Sequence, residues 1–173
     1  LLINAESKSE IEEIHRIGKL KKKKIQIGIR LNPNTDAKTL NQISTGKKGN
    51  KFGVNEKTFF ELINYCKNSK NLELKCLSVH IGSQILDNKP YEKMLRVIDK
   101  IINKTNHKFD FIDLGGGMGI SYNEKDKKLN YARYNKEIQK FLKKNKSKVI
   151  FDSGRSIIGN TGILVSKIIY IKK

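Results

Sequence analysis

The chain has 173 residues, 37% of them hydrophobic and 31% charged, with a net charge of +19 from 36 basic and 17 acidic side chains. These proportions suit a globular domain or part of a larger one, and no apolar run approaches the roughly 18 residues of a membrane span. The basic residues are overwhelmingly Lys and spread along the chain, and the runs at Lys21 to Lys24 and Lys143 to Lys148 carry no interleaved aromatic side chains as a stacking platform, which argues for a solvated surface and against a nucleic-acid partner.

Leu1 to Asn4 is too short for a signal peptide and reads as the end of an earlier strand. Ser7 and Glu10 have capping-box spacing, and Ile11, Ile14 and Ile17 follow at helical intervals. Lys21 to Lys24 then lead into a strand at Ile25 to Leu31, with Arg30 and Asn32 at its end. Residues 32–52 form a long connection rich in Thr, Asn, Gly and Lys, and such connections are usually functional. Asn55 can cap a helix carrying Phe59, Leu62, Ile63 and Cys66 on one face. Asn68 to Asn71 break that helix before a strand at Leu72 to Val79. Cys66 and Cys76 belong to no metal or redox spacing and read as small buried hydrophobes in a reducing compartment. Pro90 suits the first turn of the next helix, whose core face is Leu95, Ile98, Ile101 and Ile102. A strand at Phe109 to Leu114 follows. Tyr134, Ile138, Phe141 and Leu142 mark another helix, and Val149 to Phe151 another strand. Beyond Gly162, Ile163, Val165, Ile168 and Tyr170 follow no helical stripe and read as a strand leaving that layer.

This alternation predicts an α/β fold with a parallel sheet and helical crossovers. Several strand-like runs end in chemistry that holds ligands. His80, Gly82 and Ser83 follow one, so a flat imidazole stands beside a hydroxyl that can bind an anion. The alternative for His80 is a core histidine satisfied by backbone groups. Gly115-Gly-Gly-Met-Gly119 follows another run, and glycines let backbone N–H groups approach a phosphate. Ile120 replaces the third Gly of a dinucleotide fingerprint and no Gly-Lys-Ser/Thr follows, so the segment is otherwise a tight turn. Asp152-Ser-Gly-Arg155 puts a carboxylate and a guanidinium at a third strand end, either for a ligand or as a local ion pair. His15 and His107 fall in a helix and a loop, so no metal site is expected.

Five motifs occur together: Arg30-Leu-Asn-Pro33; Ser44-Thr-Gly46 with Lys51-Phe-Gly53; His80-Ile-Gly-Ser-Gln84; Asp113-Leu-Gly-Gly-Gly-Met-Gly119 with Tyr122; and Gly154-Arg-Ser156. In combination they resemble the diaminopimelate decarboxylases, pyridoxal-phosphate enzymes of the alanine-racemase-like barrel class. The resemblance covers nearly the whole chain. It implies a partial (β/α)8 barrel of about five βα units over residues 1–161, with residues 162–173 opening a carboxy-terminal β domain. It implies decarboxylation of meso-2,6-diaminopimelate to L-lysine, or of ornithine or arginine in a related branch, by a cytoplasmic homodimer. His80 would stack on the pyridine ring and Ser83 would sit near the phosphate. Gly115, Gly116 and Gly117 would offer that phosphate their N–H groups. Gly154 and Arg155 would complete the phosphate and substrate region, with Arg155 meeting a substrate carboxylate. Asp152 would face the pyridine nitrogen, where its charge keeps the ring an electron sink.

Two departures stand out. The family usually has Glu-Pro-Gly-Arg where this chain has Asp152-Ser-Gly-Arg155; Asp is shorter by one methylene, about 1.5 Å of reach. That change is what a non-catalytic regulatory homologue would carry. The family's Schiff-base lysine matches no residue here and is expected upstream of Leu1. Its carboxy-terminal substrate-gripping segments are expected beyond Lys173. Such a piece alone is expected to expose two sheet edges, fold poorly and catalyse nothing.

Overall fold

Helix starts are where the capping chemistry puts them. The computed structural model describes residues 1–39, 43–46, 51–123 and 125–172. The Glu10 N–H donates to Ser7 Oγ at 3.2 Å and the Ser7 N–H donates back to Glu10 Oε2 at 3.1 Å, opening α1 (Lys8–Leu20). Asn55 accepts from the Thr58 N–H at 2.9 Å and opens α2 (Glu56–Lys67). Asp87 and Asn130 cap α3 (Asn88–Thr105) and α4 (Tyr131–Asn145), with Pro90 in the first turn of α3. Lys19, Lys67, Lys104, Lys143 and Lys144 occupy last turns, where cations offset the partial negative charge of the helix end.

Between the helices run β1 (Leu2–Ala5), β2 (Ile25–Arg30), β3 (Leu72–Ser78), β4 (Phe111–Asp113) and β5 (Lys148–Ile150). They form one parallel sheet in the order β1-β2-β3-β4-β5. A short α5 (Arg155–Ile158) follows. Ile27, Ile29, Leu72, Leu77 and Ile112 pack with Ile11, Phe59, Ile63, Met94, Ile98 and Ile138 of the helices in one core. Both cysteines are free and buried in the protein, and desolvation pushes the Cys66 thiol up to about 11 and the Cys76 thiol up to about 12. Neither forms an appreciable thiolate near neutrality, which fits their reading as hydrophobes.

The opposite face of the sheet carries Asn4, Arg30, Ser78 and Asp113, and one hydrogen bond shows that it is concave. Asn4 on β1 donates through Nδ2 to Asp113 Oδ2 on β4 at 2.9 Å. In a flat sheet those strands would lie three spacings apart, about 14 Å, which two short side chains cannot bridge. The sheet therefore curls as a barrel wall does. Gly28 on the intervening β2 makes the crossing possible: a Cβ there would stand 1.9 Å from Asn4 Oδ1. A break in register between Ile27 and Gly28 accompanies it.

β2, β3 and β4 are shorter than the apolar runs suggested, and β1 and β5 are shifted by one residue, because a ladder extends only as far as its neighbour pairs with it. Residues 162–172 differ more. They hold no strand and are exposed, since no described segment offers them a ladder and an extended chain counts as a strand only when paired. The sheet ends in β1 and β5, with Leu1, Ile3 and Phe151 exposed beside these edges, the open edges anticipated for a partial barrel.

Candidate active site

All the sequence-predicted site residues lie just beyond the carboxy-terminal ends of β3, β4 and β5. Because these strands are parallel, that is one rim, where α/β barrels carry their active sites. The His80 ring is about a quarter exposed (26%), and its Nδ1 accepts a 3.3 Å hydrogen bond from the Gly116 N–H. That bond places the proton of the neutral ring on Nε2. Asp152 Oδ1 lies 3.8 Å from the same Nδ1, on a side chain 59% exposed. The Asp152 N–H donates to the Gly115 carbonyl at 3.2 Å, fastening the β5 end to the glycine turn.

The glycine turn owes its shape to Asp113. This buried carboxylate accepts from the Gly115 N–H at 2.9 Å, from Ser78 Oγ at 2.8 Å and from Asn4 Nδ2. Gly115 and Gly117 take φ of +67° and +83°, open to glycine at little cost. Two of the three N–H groups expected to hold a phosphate are thus engaged within the protein, Gly115 by Asp113 and Gly116 by His80. The Gly117 N–H has no partner among the described residues. The tight-turn reading accounts for the first two glycines and leaves the third as a donor. Tyr91 supports the turn from behind, its hydroxyl donating to the Gly116 carbonyl at 3.2 Å.

Ser83 is half-buried and donates its backbone N–H to the Ile43 carbonyl at 3.0 Å. The Ser44-Thr-Gly46 motif runs beside it. Thr45 Oγ1 donates to the His80 carbonyl at 2.8 Å, and the Thr45 and Gly46 N–H groups both donate to the Ile81 carbonyl. The described part of the long connection after β2 therefore clamps the backbone that carries His80. The rest of that motif-bearing stretch, residues 40–42 and 47–50, lies outside the described residues. Arg155 makes no ion pair with Asp152 among the described residues, so the local pair weighed from sequence is not formed. Its Nη1 donates instead to Gln84 Oε1 at 3.1 Å. Around Gly154 the space is open, with nothing within 4 Å of an added Cβ.

His80 and Asp152 border a cavity of about 380 Å³, in the range of small-ligand pockets. Asn4, Glu6, Arg30, Thr45, Phe52, Ser78 and Asp113 complete its lining. Arg30 pairs with Glu6 and sits over the Phe52 ring at 5.1 Å, which joins the Arg30-Leu-Asn-Pro33 and Lys51-Phe-Gly53 motifs in one wall. Sequence reading had placed Arg30 at a strand end and within a motif, and had missed Asn4, Glu6, Ser78 and Asp113 as lining residues. Asp113 stood next to the glycine run, a signal that could have found it.

A parallel barrel wall, a histidine and carboxylate on its rim, and a glycine turn beside them are the equipment of an enzyme that grips a flat anionic cofactor. The chain belongs to the pyridoxal-dependent decarboxylases: residues 2–159 match the pyridoxal-binding domain of that family. Among its relatives are diaminopimelate decarboxylases. That of Aquifex aeolicus is 37% identical over 175 residues, covering 99% of this chain and 42% of the relative. That of Helicobacter pylori is 38% identical over 176 residues, covering all of this chain and 43% of the relative. The crystal structure of the Helicobacter pylori enzyme complexed with L-lysine superposes with a TM-score of 0.86 at 39% identity, over 91% of this chain and 40% of that one. The chain thus spans about two fifths of the length of the curated relatives it matches. Membership makes pyridoxal phosphate the cofactor of this fold. The donor set fits it: a flat imidazole with a carboxylate alongside, an uncommitted Gly117 N–H, a serine hydroxyl and a guanidinium with N–H groups to spare.

Proposed function

We propose that this chain forms the cofactor-holding part of an enzyme that removes CO2 from meso-2,6-diaminopimelate and leaves L-lysine. The observation that carries the reading is the meeting of three strand ends: the His80 ring lies 3.3 Å from the Gly116 nitrogen and 3.8 Å from Asp152. The names of the relatives and the lysine complex of one of them support the substrate. Bound pyridoxal phosphate supplies an electron sink for the pair left behind by CO2. His80 would support the ring, and Asp152 would keep its nitrogen protonated. Ser83, the Gly117 N–H and Gly154 would take the phosphate. Gly115 and Gly116 would serve by holding the turn, through Asp113 and His80. Arg155 would meet an anionic oxygen of substrate or cofactor. The working form is a cytoplasmic homodimer, with residues 162–173 opening a second, β domain. Among the described residues no helix is long and apolar enough to cross a membrane.

A second reading, a non-catalytic homologue that regulates a partner, is favoured by Asp152-Ser153, where the family usually has Glu-Pro. The short Asp152 carboxylate leans toward the imidazole and is largely in solvent. Measuring CO2 release by the longest chain the reading frame encodes separates the two. Asp152→Glu should keep or raise turnover, whereas Asp152→Asn should lower it about 100-fold or more, the scale of losing one preorganised charge. A marked loss in Asp152→Glu would refute the assigned role. Cofactor binding without CO2 from any diamino acid would favour the regulatory reading.

A further inference from the structure

One side chain, rooted in the first of the three loops that carry the site, bonds to the other two. Gln84 follows Ser83 on the β3 loop and holds a left-handed backbone, φ +59°, which non-glycine residues adopt at a cost. Its amide docks on the backbone of Ile120, beyond the glycine turn of the β4 loop. Oε1 accepts from the Ile120 N–H at 3.2 Å, and Nε2 donates to the Ile120 carbonyl at 2.7 Å. Oε1 accepts a second bond from Arg155 Nη1 on α5, beyond β5, at 3.1 Å. The donation from Nε2 fixes which end of the amide is the oxygen, and that oxygen is what faces the guanidinium.

We infer that Gln84 is the positioning residue for Arg155: it sets the guanidinium's orientation toward the anionic group that the rim receives. The inference deepens the proposed function and rests on it. Three features favour it over a purely structural tie. A neutral amide holds one edge of the guanidinium without cancelling its charge, so full attraction for an anion remains. Only Nη1 is engaged by a described residue, which leaves the other N–H donors for a ligand. A strained backbone is kept at Gln84 although a glycine would relieve it, and without a side chain that glycine would lose all three bonds. The anionic group is either the cofactor phosphate or a substrate carboxylate.

The test uses the longest encoded chain, with Gln84→Leu, Gln84→Glu, Arg155→Ala and the double variant Gln84→Leu/Arg155→Ala. Affinities for pyridoxal phosphate and for phosphate-free pyridoxal are measured, together with KM for meso-diaminopimelate. Gln84→Leu should weaken one anion-dependent parameter about tenfold, the scale of a lost charge-assisted hydrogen bond. A loss for pyridoxal phosphate but not pyridoxal assigns the phosphate; a rise in KM alone assigns the carboxylate. In the Arg155→Ala background the same change should add almost nothing, since Gln84 acts through Arg155. Gln84→Glu keeps both acceptor contacts but neutralises the guanidinium, so it should weaken the same parameter even if Gln84→Leu fails to fold. Unchanged parameters in both single variants, or fully additive effects of Gln84→Leu and Arg155→Ala, would overturn the inference. Unmodified protein that binds neither cofactor nor amino acid would sink the functional reading with it.

Discussion

Gly117→Ala is expected to dismantle the rim, lowering stability by about 2–5 kcal/mol and cofactor affinity at least about 100-fold. Two independent obstacles meet at this residue. A φ of +83° is unfavourable for any side chain, and an added Cβ would stand 2.0 Å from the Gly82 carbonyl oxygen. Neither partner can retreat freely. The Ile85 N–H donates to the Gly117 carbonyl at 2.9 Å, and the Gly119 N–H to the Ile85 carbonyl at 3.1 Å, so the β3 and β4 loops are laced together at this point. Relief requires unlacing them, which moves Ser83 and the Gly117 N–H apart. Gly154→Ala is the steric control. With open space around its Cβ it should leave the thermal midpoint where it is. A Gly117→Ala protein as stable as the parent would contradict the described packing of the two loops.

Asp113→Ala is expected to cost about 2–5 kcal/mol, from stranded donors and the desolvated space left behind. Asp113 is buried, 4% exposed, and its carboxylate serves three donors, of which Ser78 Oγ and the Gly115 N–H are buried with it while Asn4 keeps access to water. Removing it leaves two buried donors without an acceptor and cuts the link from β1 to β4 across the concave face. Asp113→Asn should cost less. One oxygen can still serve Gly115, Ser78 can turn its hydroxyl to accept, and Asn4 can rotate its amide. Denaturant unfolding of the longest chain reads both. Equal stability of Asp113→Ala and the parent would mean that the inner-face network does not hold the curl.

What sequence alone revealed follows a physical line. Helices α1 to α4 were legible because their apolar positions recur at 3.6-residue spacing and their caps are local, as Ser7 with Glu10 and Asn55 with Thr58 illustrate. The strands were legible as apolar runs, but their ends were not, because a ladder stops where its neighbour stops. The rim residues were found because polar groups at strand ends form compact motifs. The inner face was not. Asn4, Ser78 and Asp113 are scattered single polar residues on three strands, with Glu6 just past the first of them, and only the curl brings them together. The same limit applies to the glycine turn: sequence proposed three phosphate donors, and only coordinates assign two of them to Asp113 and His80. Gln84 sat inside a recognised motif, yet its bond to Arg155 spans 71 positions and left no local trace.

Cofactor binding by this chain depends on the imidazole and the strand-end groups gathering around one ligand. The most direct test is a pyridoxal phosphate titration of the longest encoded chain, followed by visible absorbance, beside His80→Ala. Saturable binding that weakens at least about tenfold in His80→Ala is the expected result, given the stacking of an aromatic ring and the loss of the Gly116 partner. No saturable binding, or identical affinities for the two proteins, would contradict it.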